Sequence, residues 1–166
     1  MPKKIIFVKT ICFMPFIEIK EITYKTKRYE QVVALREKIL RKPIHKSLKP
    51  EDLQYDPDEY IFAAIYQNEV VGCVQLRPLK NKLIKLRQMA VDFPFQKIGI
   101  GKLLMEAAEQ KARQTKHRKI ILHARQTAVD FYQKLNYHIV SDAFIEIGIF
   151  HYKMEKTLQK KITTNY

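Results

Sequence analysis

Cysteine is scarce in this 166-residue chain, which has only Cys12 and Cys73. The two stand too far apart to make a metal-ligand pair. Cys73 lies inside an apolar run, where a free thiol is normally buried. This excludes a disulfide framework and fits a reducing, cytoplasmic setting. Glycine and proline are also few, at 4 and 7, which leaves little material for long flexible linkers. No stretch approaches the roughly 18 apolar residues of a membrane-spanning helix. There is no internal repeat and no low-complexity tract. Acidic residues are outnumbered 17 to 31, for a formal net charge of +14. That excess favours anionic partners such as nucleic acid, an acidic membrane or a phosphate-rich small molecule, and a solvated basic surface accounts for it equally well.

Length and a hydrophobic fraction of 46% fit one domain with its own core. At the start, a Lys-Lys pair precedes a short apolar stretch interrupted by Lys9 and Thr10. No small-residue cleavage site follows it, so it does not read as a signal peptide. The expected organisation is an extension over residues 1–13, a domain over residues 14–158 and a basic tail over residues 159–166.

Apolar periodicity sets the expected order of elements. Alternation predicts a first strand over residues 16–22. Val32, Val33, Leu35, Ile39 and Leu40 recur at helical spacing and predict a helix over residues 29–40, with Pro43 beyond it. Strands over 60–66, 70–76 and 83–91 form a meander with turns at Gln67-Asn68-Glu69 and Asn81-Lys82. The strongest helix covers residues 101–115, where Leu103, Leu104, Ala107, Ala108 and Ala112 make one stripe. A buried parallel strand is expected over 119–123, a helix over 128–135, and closing strands over 137–140 and 150–154.

Between the third strand and the strongest helix lies Gln96-Lys97-Ile98-Gly99-Ile100-Gly101. Glycines let backbone amides come close to a ligand, and a helix start offers unpaired N–H groups and a positive dipole end. Together they suit a pyrophosphate. The dinucleotide fingerprint needs a third glycine where Leu104 stands, and the P-loop needs Ser or Thr where Leu103 stands.

Three segments in order carry a resemblance. Leu86-Arg87-Gln88-Met89-Ala90-Val91-Asp92 is similar to the central strand of the GNAT superfamily of acyl-CoA N-acetyltransferases. Gln96, Gly99 and Gly101 match its pyrophosphate signature of Gln or Arg, two residues, Gly, one residue, then Gly or Ala. The segment from Ala128 through Phe131, Tyr132 and Leu135 to Tyr137 resembles its Ala-x-x-x-Tyr-x-x-Leu-Gly-Phe helix, with Asn136 in place of glycine. Leu35-Arg36-Glu37-Lys38-Ile39-Leu40-Arg41 and Gly148-Ile149-Phe150-His151 resemble a small bacterial subgroup, with Phe150 where proline is usual.

The resemblance implies an α/β (α+β) fold: a mixed, mostly antiparallel central sheet with helices on both faces. It also implies a strand pair splayed at residues 89–91 and 122–125 that takes acyl-CoA. It implies acetyl-CoA as co-substrate, no metal, an amine acceptor that the family does not define, and leaves a homodimer open. The CoA site would comprise Met89, Ala90, Val91, Gln96, Lys97, Ile98, Gly99, Ile100, Gly101, Lys102, Arg125, Ala128 and Tyr132. A backbone N–H near Met89 or Ala90 would hold the oxyanion. Tyr132 would act as general acid to the thiolate, or else simply pack in the core. The strand glutamate that serves some members as base is absent, since Lys85, Arg87 and Gln88 stand there. Glu146, His151 or a water chain remain as routes for the proton. His123 reads as a structural histidine, and Arg36, Arg41 and Arg77 as candidates for the acceptor pocket. Two other functions compete: a CoA-binding protein without catalysis, and a nucleic-acid-binding module. The mixed charges on the strongest helix fit cofactor architecture better than a recognition helix.

Overall fold

The computed structural model describes residues 16–159, so the expected extension over residues 1–13 lies outside the described residues. Strand β1 (Glu18–Ile22) leads into helix α1 (Lys27–Arg36). Thr26 caps that helix, its Oγ1 accepting the Tyr29 N–H at 3.3 Å. The chain does not leave the helix at Arg36. It widens into a π turn over Glu37–Arg41 and tightens into a 3-10 turn, Lys42–Ile44, that contains Pro43. Such turns often mark functional sites, and this one carries Leu40 and Arg41 into the cleft described below.

Helix α2 (Pro50–Leu53) and a 3-10 turn at Asp56–Asp58 fill the segment before β2 (Tyr60–Tyr66). Strands β2 and β3 (Glu69–Pro78) form a hairpin whose turn residues Gln67 and Asn68 have φ of 45° and 68°. Paired left-handed residues follow the twist of the flanking strands. A second such pair, Asn81 and Lys82, precedes β4 (Leu83–Val91). Then come α3 (Ile100–Gln114), β5 (Lys119–Arg125), α4 (Val129–Gln133), β6 (His138–Ile139), β7 (Phe144–Glu146) and β8 (Ile149–Thr157). Asn136 takes φ of 65° after α4, a left-handed conformation that asparagine tolerates.

The eight strands form one sheet in the order β1-β2-β3-β4-β5-β8-β6, with β7 also on β8. Every ladder is antiparallel except β4–β5. Strand periodicity sends Leu76, Ile84, Leu86, Ile120, Leu122 and Met154 to one face, where they pack with Leu104 and Ala108 of α3. On the other face Ile61, Ala63 and Cys73 pack with Val32 and Leu35 of α1. Helix α1 lies against β3 and β4. The side chains of β5 and β8 on that same face, including His123 and His151, line a cleft instead.

Strand β7 was not expected. It is three residues long and turns into β8 through Ile147 and Gly148, at φ of 50° and 83°. A β-branched residue rarely takes positive φ, so Ile147 gave no turn signal. Among the described residues, no helix is long and apolar enough to cross a membrane.

Candidate active site at the strand splay

Strands β4 and β5 pair from Leu83–Lys119 to Leu86–Leu122 and no further. Beyond that level β4 keeps β3 as its neighbour and β5 keeps β8. The wedge between them opens a cleft of about 300 Å³. The cause is visible in β4. Cys73 pairs with Ala90 but Gln75 with Arg87, so Val74 faces both Gln88 and Met89. Gln88 sits at φ of 53°. A bulge of this kind bends the strand and leaves its extra residue outside the ladder.

The start of α3 stands at the end of this strand. Lys97 and Gly99 have φ of 63° and 95°. The helix cap, Gly99, supplies no side-chain partner, and the first helical bond runs from Leu103 N to Gly99 O at 3.1 Å. The amides of Ile100, Gly101 and Lys102 therefore have no partner within the helix, the arrangement that binds anions. A Cβ at Gly99 would meet no protein atom within 4 Å, and its φ is one that other residues rarely adopt, so glycine there keeps the backbone conformation and leaves open space beside it. A Cβ at Gly101 would lie 3.1 Å from the Phe131 ring, so glycine there lets α3 approach α4.

The other expected cofactor residues are placed in several different ways. Met89, Arg125, Ala128 and Tyr132 line the cleft. Ala90 and the side chain of Ile100 are buried in the two cores, leaving only backbone to offer. Gln96 Nε2 donates to Val91 O at 2.9 Å and so ties the loop to the strand. Lys97, Ile98 and Lys102 are exposed beside the helix start.

The cleft has two sides. Leu86, Met89, Ala124, Phe131 and Tyr132 belong to or pack against the α3–α4 core. Tyr132 is buried, and burial raises its phenol above the ordinary tyrosine value. Lys85, Arg87, His123, Glu146 and His151 make up the other side, with Arg41 and Asp52. There His123 Nδ1 stands 3.2 Å and 3.4 Å from the two carboxylate oxygens of Glu146. A carboxylate accepts, so Nδ1 carries the proton and Nε2 the lone pair in the neutral ring. His151 Nδ1 donates to Ile149 O at 2.9 Å, and its Nε2 lies 3.8 Å from Glu146. Phe144 stacks on His151 and meets His123 edge-on. The hydrogen bond from His123 holds the Glu146 carboxyl below its usual range, against the opposing effect of burial.

The structure thus gathers Tyr132, Glu146 and His151 in one cleft and adds His123, which sequence reasoning took as structural. Period-two alternation along β5 held the signal: His123 points away from the face of Leu122. Of the three arginines considered for the pocket, Arg41 alone lines it, ion-paired to Asp52 at 3.0 Å. Arg36 is fully buried with Asp56, and Arg77 stacks 3.3 Å over the Tyr55 ring. Among the described residues no group of three His, Cys, Asp or Glu is placed to hold a metal.

This geometry coincides with a sequence match. The family model of the acetyltransferase (GNAT) domain matches residues 23–158. The chain belongs to the GNAT acetyltransferase family. The uncharacterized Bacillus subtilis protein YyaT is 33% identical over 98 residues, 59% of this chain and 66% of that protein. A crystal structure from Lactobacillus plantarum, provisionally named an N-acetyltransferase, has a TM-score of 0.78 at 20% identity, over 86% of this chain and 99% of that one. A GNAT family acetyltransferase from Elizabethkingia anophelis, solved with acetyl-CoA bound, has a TM-score of 0.64 at 24% identity, over 87% of this chain and 98% of that one. At such identities the two structural likenesses are of fold. Membership of the family supports acyltransferase chemistry and a CoA thioester as donor.

Proposed function

We propose that this GNAT-family chain transfers an acetyl group from acetyl-CoA directly to an amine, through the splay between β4 and β5. The observation that carries this reading is the two-sided cleft: a buried phenol on one side of the splay and a His–Glu pair on the other. Acetyl-CoA binds with its pyrophosphate on the amides at the start of α3 and its arm along β4. The amide set loose by the bulge holds the thioester carbonyl as it becomes an oxyanion.

An amine arrives as an ammonium and must lose one proton before it attacks. His123 Nε2 takes that proton, with Glu146 fixing the tautomer through Nδ1 and His151 placed against the same carboxylate. The neutral amine then forms the C–N bond. The intermediate expels the CoA thiolate as the C–S bond breaks, and the second proton of the nitrogen ends on the thiol. Tyr132 acts differently from a full proton donor. A free thiol titrates near about 8.5, well below a phenol raised above its ordinary value by burial. Tyr132 therefore stabilises the thiolate by donating a hydrogen bond while keeping its proton.

Thiol release from acetyl-CoA across a panel of amines and peptides tests the reading, alongside calorimetric binding of acetyl-CoA. Amine-dependent release is the expected result. Tight binding with no release on any amine would instead indicate a CoA-binding protein without catalysis. Tyr132→Phe keeps the ring and removes only the hydroxyl. It should bind acetyl-CoA normally and lose about 10²-fold in kcat, the loss of one preorganised donor. A fully active Phe variant would remove Tyr132 from the mechanism.

A further inference from the structure

The acceptor side of the cleft carries more positive charge than its own carboxylates balance. Arg77 of β3 lies directly opposite Lys85 of β4, and Lys153 of β8 directly opposite His123 of β5. Like charges facing each other across a ladder weaken it, which applies to Arg77 and Lys85. Arg87 is neutralised by Glu59, and Arg41 by Asp52. Among the described residues Lys85, Arg77 and Lys153 have no ion pair. Arg77 spends its guanidinium face on Tyr55 instead. Glu146, the carboxylate nearest in influence to Lys85, is already engaged by His123. Burial lowers the Lys85 pKa. Glu146 opposes that, while Arg87, Arg77 and Lys153 push it further down. A half-buried ammonium held among cations gains most from an added anion.

We propose that the acceptor amine also carries an anionic group, a carboxylate or a phosphate, which Lys85 binds with Arg77 and Lys153 beside it. This rests on the amine-acetylation reading above, since it places the amine near His123 and Glu146 and the anion on the adjoining strand. A polycationic acceptor would meet like charge at the same wall. Lys85 is the anchor because it alone of the three lines the cleft.

Matched acceptors test the idea: β-alanine against its amide, and phosphoethanolamine against ethanolamine, with spermidine as a cationic probe. The anionic member should have a kcat/KM about 10- to 100-fold higher, the range of one charge-assisted hydrogen bond. The first pair reads a carboxylate acceptor and the second a phosphate. In Lys85→Met the preference should fall to near unity. Lys27→Met removes the same charge from an exposed position at the start of α1 and should keep it. Lys85→Gln, which retains a polar end, repeats the measurement if the Met variant is unstable. Equal use of both members, preference for spermidine, or a preference that survives loss of Lys85 would overturn the proposal.

Inorganic phosphate titrated into the CoA-saturated chain separates this proposal from the reading it rests on. Phosphate binding that disappears in Lys85→Met, with no amine acetylated, would leave the anion site standing and remove amine acetylation. Acetylation without anion preference would do the reverse. Neither binding nor acetylation would remove both.

Discussion

Replacing His123 with glutamine should lower kcat by about 10²- to 10⁴-fold, the usual contribution of general acid–base help, with acetyl-CoA affinity unchanged. Glutamine can still donate an N–H to Glu146, so the pair of side chains keeps its contact. It has no basic nitrogen to take the ammonium proton. Glu146→Gln should act in the same direction and less strongly, because the ring remains while the carboxylate that orients it is gone. His151→Gln should have the smallest effect of the three, since its Nδ1 is committed to Ile149 O and its Nε2 stays 3.8 Å from Glu146. Steady-state kinetics on the three variants decides the order. A His151 variant slower than the His123 variant would move the base to His151.

The pH dependence carries a sign that checks the same pair. Glu146 is depressed in the folded chain by its hydrogen bond from His123. A depressed carboxylate contributes stability that is present above its unfolded value, about 4.3, and is lost as the pH falls through the lower folded value. Loss of activity above about pH 5 therefore does not come from protonating Glu146. The melting temperature of Glu146→Gln should therefore lie below that of the parent chain at neutral pH and approach it as the pH falls below about 4.

The order of elements along the chain was readable because it rests on local periodicity. Alternation marked the meander, and a wide apolar stripe marked α3. The pairing of His123 with Glu146 was not readable in the same way. His123 and Glu146 are 23 residues apart, and β7 is too short to show a period. The turn that delivers Glu146 is built on Ile147 in a left-handed conformation, against the preference of its residue type. Gly101 matched the family pattern, yet its neighbour in space is Phe131 on another helix. A motif names the residue type and leaves open which surface requires it. Arg36, a candidate for the acceptor pocket by sequence, is instead buried against a carboxylate 20 residues downstream, a separation that leaves no local signal.

That buried arginine leads to the largest stability effect expected. Asp56→Ala should cost about 3–5 kcal/mol, because it leaves a charge buried without its partner. Arg36 and Asp56 are both 0% exposed, and Arg36 Nη1 lies 2.6 Å from Asp56 Oδ2. The Tyr29 hydroxyl donates to the same oxygen at 2.7 Å, so the change also strips a buried phenol of its acceptor. Burial and the Asp56 carboxylate together hold that phenol well above its ordinary pKa, so it remains a donor. Arg36 Nη2 also donates to Asp52 O at 3.2 Å, and Asp52 holds Arg41 at the wall of the cleft. The pair therefore fastens the segment before β2 to α1 and, through Asp52, supports the acceptor side of the site. For a domain whose whole stability is about 5–15 kcal/mol, the loss should be plain in the denaturant midpoint, with little change in slope. Arg36→Met combined with Asp56→Ala removes both charges and should recover much of it. If the double variant is as unstable as Asp56→Ala alone, the cost lies in packing, and the charge argument is wrong.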